Sequence, residues 1–218
     1  MEHEVDGRRE IASRNTTWAN TTARKLTHWG VTPNQISMMS VFFALIGCIL
    51  LTCSVIYLGF NKYIAYILFI VCMQSRLLCN LFDGMVAIEG GKKSANGDLY
   101  NDMPDRFADA LFIIPVGYVA GGFGIELGWL AALLAVMTAY FRWIGAYKTH
   151  SHFFNGPMAK QHRMALLTAT FAVATCTIHW GYEHMVCLIA LIIMNTGLIA
   201  TLVHRLYLMS HTTNNENK

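Results

Sequence analysis

Charge is scarce in this sequence. Asp, Glu, Lys and Arg make up 13% of its 218 residues, about half the share of an average soluble chain. With 55% hydrophobic residues and a mean hydropathy of +0.40, an ordinary soluble domain is excluded. Disorder, a disulfide scaffold, a nucleic-acid-binding domain and a secreted enzyme go with it, whereas the net charge of +3 decides nothing. Cysteine pairs are missing too. Cys48, Cys53, Cys72, Cys79, Cys176 and Cys187 all fall in apolar stretches, with neither CxxC spacing nor loop positions, so they read as small packing residues without redox chemistry. The first 35 residues are polar and lack an apolar h-region, so no cleavable signal peptide is expected and the N-terminus is placed in the cytoplasm.

What is abundant is apolar runs of about 20 residues, the length a hydrocarbon core demands of a helix. Six spans are expected: Ile36 to Leu58, Tyr63 to Phe82, Phe107 to Phe123, Ile125 to Lys148, Met164 to Trp180 and Met185 to Val203. The fold class is therefore all-α, a polytopic membrane bundle. With six spans, fifteen of the sixteen Lys and Arg fall on one face and only Lys62 lies opposite. By the positive-inside rule both termini and the turns at 84–97 and 149–163 are cytoplasmic. Ile11, Trp18, Leu26 and Trp29 recur at helical spacing among polar and basic neighbours, which predicts an interfacial helix on the cytoplasmic leaflet. Thr32-Pro33-Asn34 then breaks the chain before the first span. The expected organisation is a cytoplasmic segment over 1–35, a six-helix domain over 36–206 and a cytoplasmic tail over 207–218.

An ionised side chain at membrane depth costs about 2.5–3.5 kcal/mol even on the lenient insertion scale, so acids beside spans are functional candidates. They concentrate in one place. Asn80 and Asp83 are i,i+3 neighbours closing the second span, and Asn101, Asp105 and Asp109 repeat at i,i+4 opening the third. Each helix thus carries an oxygen-rich stripe, and two such stripes joined by a glycine-containing turn can converge. Oxygen-only donors suit hard cations such as Mg²⁺, Mn²⁺ or Ca²⁺, which also bind phosphates. Asp98, Asp102 and Asp109 serve equally well as solvated residues stabilising a helix N-terminus.

These residues resemble the signature of the CDP-alcohol phosphotransferases, integral membrane enzymes of phospholipid synthesis: D-x-x-D-G-x-x-A-R, eight residues, then G-x-x-x-D-x-x-x-D. Every interval is kept by Asn80, Asp83, Gly84, Ala87, Ile88, Gly97, Asn101 and Asp105. The family's T-P-N before the first span is matched by Thr32-Pro33-Asn34. Three positions depart: Asn80 and Asn101 replace aspartates, and Ile88 replaces the arginine. The resemblance implies a six-span bundle with an interfacial helix, and one or two Mg²⁺ or Mn²⁺ ions held by Asn80, Asp83, Asn101 and Asp105. It implies Asp105 as general base, and nucleotide approach at Gly84, Ala87, Gly97 and Asn34. The implied reaction transfers a phosphatidyl-type group from CDP-diacylglycerol to a small alcohol, releasing CMP in a homodimer among membrane lipids, as at a bacterial inner membrane. Arg76, Arg106, Lys92 and Lys93 are candidates to replace the missing arginine, and Asp102 and Asp109 are possible accessory residues.

Arg142, Lys160, Arg163 and Arg205, with Lys148 and His162, cluster on the same face, as an anion pocket for a phosphorylated acceptor such as glycerol 3-phosphate or an inositol phosphate would require. Anionic lipid head groups would attract the same residues. His150 and His152 read as solvated surface, and Glu126 and Glu183 as interfacial solvation. Two other classes fit less of the pattern. A cation transporter is opposed by the lack of an acid ladder across the midplane, and a non-catalytic relative is supported only by the Asn, Asn and Ile departures.

Overall fold

The computed structural model describes residues 16–57, 59–89, 97–149 and 156–216, with the backbone alone for 97–101, 149 and 213–216. Seven α-helices follow in order: α1 (Thr17–His28), α2 (Pro33–Ile56), α3 (Lys62–Glu89), α4 (Gly97–Ala120), α5 (Gly124–Thr149), α6 (Lys160–Thr177) and α7 (Glu183–Glu216). A 3-10 turn at Ile178–Trp180 precedes α7. Ile11, Lys92, Lys93, His150, His152 and Lys218 lie outside the described residues.

The break at Thr32 has a local cause. Its hydroxyl accepts from the Gln35 backbone N–H at 3.3 Å while the Gln35 side chain accepts from the Thr32 N–H at 2.9 Å, a reciprocal cap with Pro33 at the first helical position, where its missing donor costs nothing. α1 lies on α3 through Ala19 and Ala23, against Leu81, Met85 and Val86, and the Trp18 ring meets the Phe82 ring edge-on at 5.9 Å.

α2, α3, α5 and α7 are long and apolar enough to cross a membrane. Among the described residues α4 and α6 are not counted with them, and the reason is visible in sequence: α4 carries Asp102, Asp105, Arg106 and Asp109, and α6 opens with Lys160 and Arg163. The turns are shorter than expected. α3 continues through Gly84 to Glu89 and α6 begins at Lys160, so the first residues of the expected 84–97 turn and the last residues of the expected 149–163 turn are helical.

Small residues set the packing distance. A Cβ on Gly117 of α4 would stand 2.6 Å from the Gly124 carbonyl oxygen and 3.1 Å from the Gly128 Cα on α5, and one on Gly47 of α2 would stand 2.9 Å from the Phe112 ring. Such close backbone approach is how helices associate where no hydrophobic force separates side chain from solvent. Around Phe69 the rings of Phe112 and Phe171 lie at 5.5 and 4.5 Å, joining α3, α4 and α6. Cys72 and Cys187 are buried as expected of packing residues, whereas Cys176 is exposed on α6. Gly117→Val should force α4 from α5 and lower stability by about 1–3 kcal/mol, read as a fall of several degrees in the thermal transition of detergent-purified protein. An unchanged transition would show that the seam is loose.

Candidate functional site

Three helices each contribute one polar stripe to the same end of the bundle. On α3 the stripe is Arg76, Asn80 and Asp83, on α4 Asp105 and Asp109, and on α6 Lys160 and Arg163; these spacings of three and four bring each set onto one face. The stripes interlock. Arg76, fully buried, donates from Nη2 to Asp105 Oδ1 at 3.0 Å and to Asp109 Oδ1 at 3.1 Å. Arg163, also buried, donates from Nη2 to Asp109 Oδ2 at 2.5 Å and from Nη1 to the Met158 carbonyl at 3.1 Å. Asp109 is thus clamped between two guanidinium groups. Asp105 receives three partners: Arg76 and the Asn80 amide (3.1 Å) on Oδ1, and the Lys160 ammonium on Oδ2.

Asp83 is buried and accepts from the Ser37 hydroxyl at 3.1 Å, within electrostatic reach of Asp105 and Lys160. Gly84 is buried behind it. Asn34 sits exposed in the first turn of α2, one turn before Ser37. Ala87 is half-buried, and Ile88, at the signature's arginine position, is 59% exposed. Gly97 opens α4 and Asn101 follows it one turn before Asp105, with both side-chain positions outside the described set. Lys160 heads α6, ahead of the apolar stretch.

A second patch adjoins the first. Asp102 accepts from Arg142, from the Trp143 indole at 2.7 Å, and pairs with Arg106 at 3.6 Å. Arg205 of α7 donates to the Thr138 carbonyl and lies within electrostatic range of Arg142, Arg163 and Arg106. Three arginines from three helices, Arg106 of α4, Arg142 of α5 and Arg205 of α7, with one carboxylate, Asp102, among them make a region of positive potential suited to an anion.

Several expectations are corrected here. Arg76, a candidate to replace the signature arginine, is sealed inside the bundle, where two carboxylates of α4 face it. Arg163, expected at the fourth-to-fifth turn in an anion pocket, stands in α6 with its guanidinium held by Asp109. Asp109 is not solvating a helix terminus, being 1% exposed. Glu183 is not solvated either: it is buried and its Oε1 accepts from Lys62 Nζ at 3.0 Å. Sequence reasoning missed Ser37 and Thr138. The available signal was two small hydroxyl residues, Ser37 and Ser40, three apart in an apolar run, since a hydroxyl there needs a polar partner.

The ligand-type groups of the α3 and α4 stripes, the Asp83 and Asp105 carboxylates and the Asn80 amide, offer oxygens. Among the described residues no three His, Cys, Asp or Glu gather as metal ligands, so a bound ion needs an amide oxygen such as that of Asn80. The chemistry of the set fits a hard cation, and a positive group, the Lys160 ammonium, already rests on Asp105.

No protein-family model and no curated protein matches the sequence. Solved structures do. The phosphatidylinositol phosphate synthase of Mycobacterium tuberculosis with CDP-DAG bound superposes with a TM-score of 0.73 at 14% identity, covering 89% of this chain and 94% of that one. The same enzyme in complex with manganese and citrate gives 0.73 at 14% identity, with 88% of each chain covered. This chain has the fold of that synthase.

Removing one member of a buried ion pair strands the other, a loss of about 3–5 kcal/mol. Asp109→Asn should therefore lower the unfolding midpoint sharply, whereas Arg24→Ala, which breaks the exposed pair with Glu89, should shift it little. Equal effects on the two midpoints would contradict the central role given to Asp109.

Proposed function

We propose that this chain is an integral membrane phosphotransferase that moves a phosphatidyl-type group from a CDP-lipid, CDP-diacylglycerol, to a small alcohol bearing a phosphate, with release of CMP. One observation carries the reading. The Asn80/Asp83 and Asp105 stripes, spaced as in the CDP-alcohol phosphotransferase signature, meet at one end of a bundle whose fold is that of a synthase solved with CDP-DAG. The six helices α2 to α7 are the six spans and α1 the interfacial helix. The end bearing Asp83 and Asp105 faces the cytoplasm of a bacterial inner membrane, in agreement with the Lys and Arg distribution.

Asp83 and Asp105, with the amide oxygens of Asn80 and Asn101, would hold Mg²⁺ or Mn²⁺. When bound, the ion supplies charge neutralisation on the diphosphate and makes CMP a better leaving group. Asp105 takes the proton of the acceptor hydroxyl. Arg76 and Asn80 fix the orientation of its carboxylate, and Ser37 that of Asp83. Gly84, Ala87, Gly97 and Asn34 let the nucleotide lie close to the backbone. An apolar cleft of about 360 Å³ between α1, α2 and α3, lined by Leu26, Val31, Met39, Phe43, Leu78 and Phe82, suits an acyl chain. Arg106, Arg142 and Arg205 form the phosphate subsite of the acceptor, while Arg163 orients Asp109.

The Asn80 amide donates to Asp105, which favours a second reading, a relative that binds nucleotide-lipid without turnover. Both are tested by CMP release from CDP-diacylglycerol with Mg²⁺ or Mn²⁺ across glycerol 3-phosphate, inositol phosphate, inositol, serine and glycerol. Metal-dependent release with a phosphorylated acceptor is expected, reduced on the order of 10²–10⁴-fold by Asp105→Ala and abolished by Asp83→Ala. Binding of the CDP-lipid without release from any acceptor would establish the second reading instead. Arg142→Ala should raise KM for the phosphorylated acceptor roughly 10- to 100-fold, the worth of a charge-assisted hydrogen bond, with kcat little changed. An unaltered KM would remove the arginine patch from acceptor binding.

A further inference from the structure

The buried cluster is self-neutralised. Asp83, Asp105 and Asp109 face Arg76, Arg163 and Lys160, and each of the three cations has a carboxylate partner within the cluster. A free divalent ion entering beside Asp83 and Asp105 would add two positive charges to a balanced, poorly solvated site, at a cost that low local polarisability makes large. A nucleotide diphosphate entering alone would add the opposite imbalance. The two together nearly cancel.

The three cations are not equally able to make room. Arg76 is fully buried and ties Asp105 to Asp109, and Arg163 is fixed between Asp109 and the Met158 carbonyl. Lys160 alone stands at the rim, its side chain 28% exposed, on a flexible four-carbon stem with three rotatable donors. Its ammonium rests on Asp105 Oδ2, the oxygen that Arg76 and Asn80 leave to it. The replacement of two signature aspartates by Asn80 and Asn101 removes the surplus negative charge that would hold an ion against this competition.

Resting on the phosphotransferase reading above, we propose that Lys160 is a built-in counter-cation which excludes a free divalent ion from the Asp83/Asp105 site, so that the ion binds only together with a nucleotide diphosphate, whose phosphate oxygens receive the displaced ammonium. Metal and nucleotide are then positively coupled, each raising the affinity of the other by the same factor, and Lys160 is the residue that sets the coupling.

The test is Mn²⁺ binding to purified full-length protein in detergent, read by loss of the free-ion electron paramagnetic resonance signal, with and without CDP. Wild type should bind Mn²⁺ at least tenfold more tightly with CDP present. Lys160→Met should bind Mn²⁺ tightly without nucleotide and lose most of the coupling, whereas Lys160→Arg, which keeps a cation at the rim, should stay weak without it. Monodisperse elution and wild-type thermal transitions certify the folding of both variants. Equal Mn²⁺ affinity with and without CDP in wild type, or no tightening in Lys160→Met while CDP still binds, overturns the role of Lys160. Failure of CDP to bind wild type at any Mn²⁺ concentration instead overturns the nucleotide-binding reading on which the proposal rests.

Discussion

Asp109 holds the molecule together at the point where its function is proposed to lie. One buried carboxylate receives Arg76 from α3 and Arg163 from α6 while itself belonging to α4, so three helices are fixed by a single group. Its energetic role is conditional. A buried ion pair adds little over an apolar replacement of the same shape, yet breaking one side of it is costly; the triad therefore specifies how α3, α4 and α6 register more than it adds to stability. That register brings Asn80 within 3.1 Å of Asp105 and places Lys160 on the opposite oxygen. Everything proposed for catalysis follows from those two contacts.

The apolar packing is subordinate to the same geometry. Aromatic rings of α3, α4 and α6 stack around Phe69 one layer away from the ionic cluster, and the glycine seam of Gly117, Gly124 and Gly128 locks α5 to α4. α4 is thus fastened on one side by charge and on the other by backbone contact. A rigid α4 is what a site built on Asp105 requires, since a carboxylate that must meet a hydroxyl proton tolerates little displacement.

The stripes on α3 and α4 were legible in sequence because acids and amides at spacings of three and four are conspicuous in apolar runs, and the period reports the face directly. The break at Thr32 was legible for a similar reason, since Pro and a capping hydroxyl act within one turn. Partners distant in sequence were not. Arg76 near a span end looks like any residue reaching for the interface, and its burial is decided by carboxylates 29 and 33 positions away. Lys160 and Arg163 follow Gly156 and Pro157, a neighbourhood that reads as a turn, yet α6 starts immediately after it. Glu183 likewise sits beside the Gly181 turn, and only Lys62, 121 positions away, explains its burial.

The distribution of these charges bears on how the protein is assembled. On the proposed six-span reading, α4 and α6, which hold Asp105, Asp109 and Arg163 buried, would each on its own present those groups to hydrocarbon. α2, α3, α5 and α7 are apolar enough to cross by length and composition, although α3 brings the buried Arg76 with it. On that reading α4 would depend on Arg76 of α3 and α6 on Asp109 of α4, and integration of the chain would proceed cooperatively, with the polar helices accepted by the lipid only as their charges are cancelled by helices that entered before or with them.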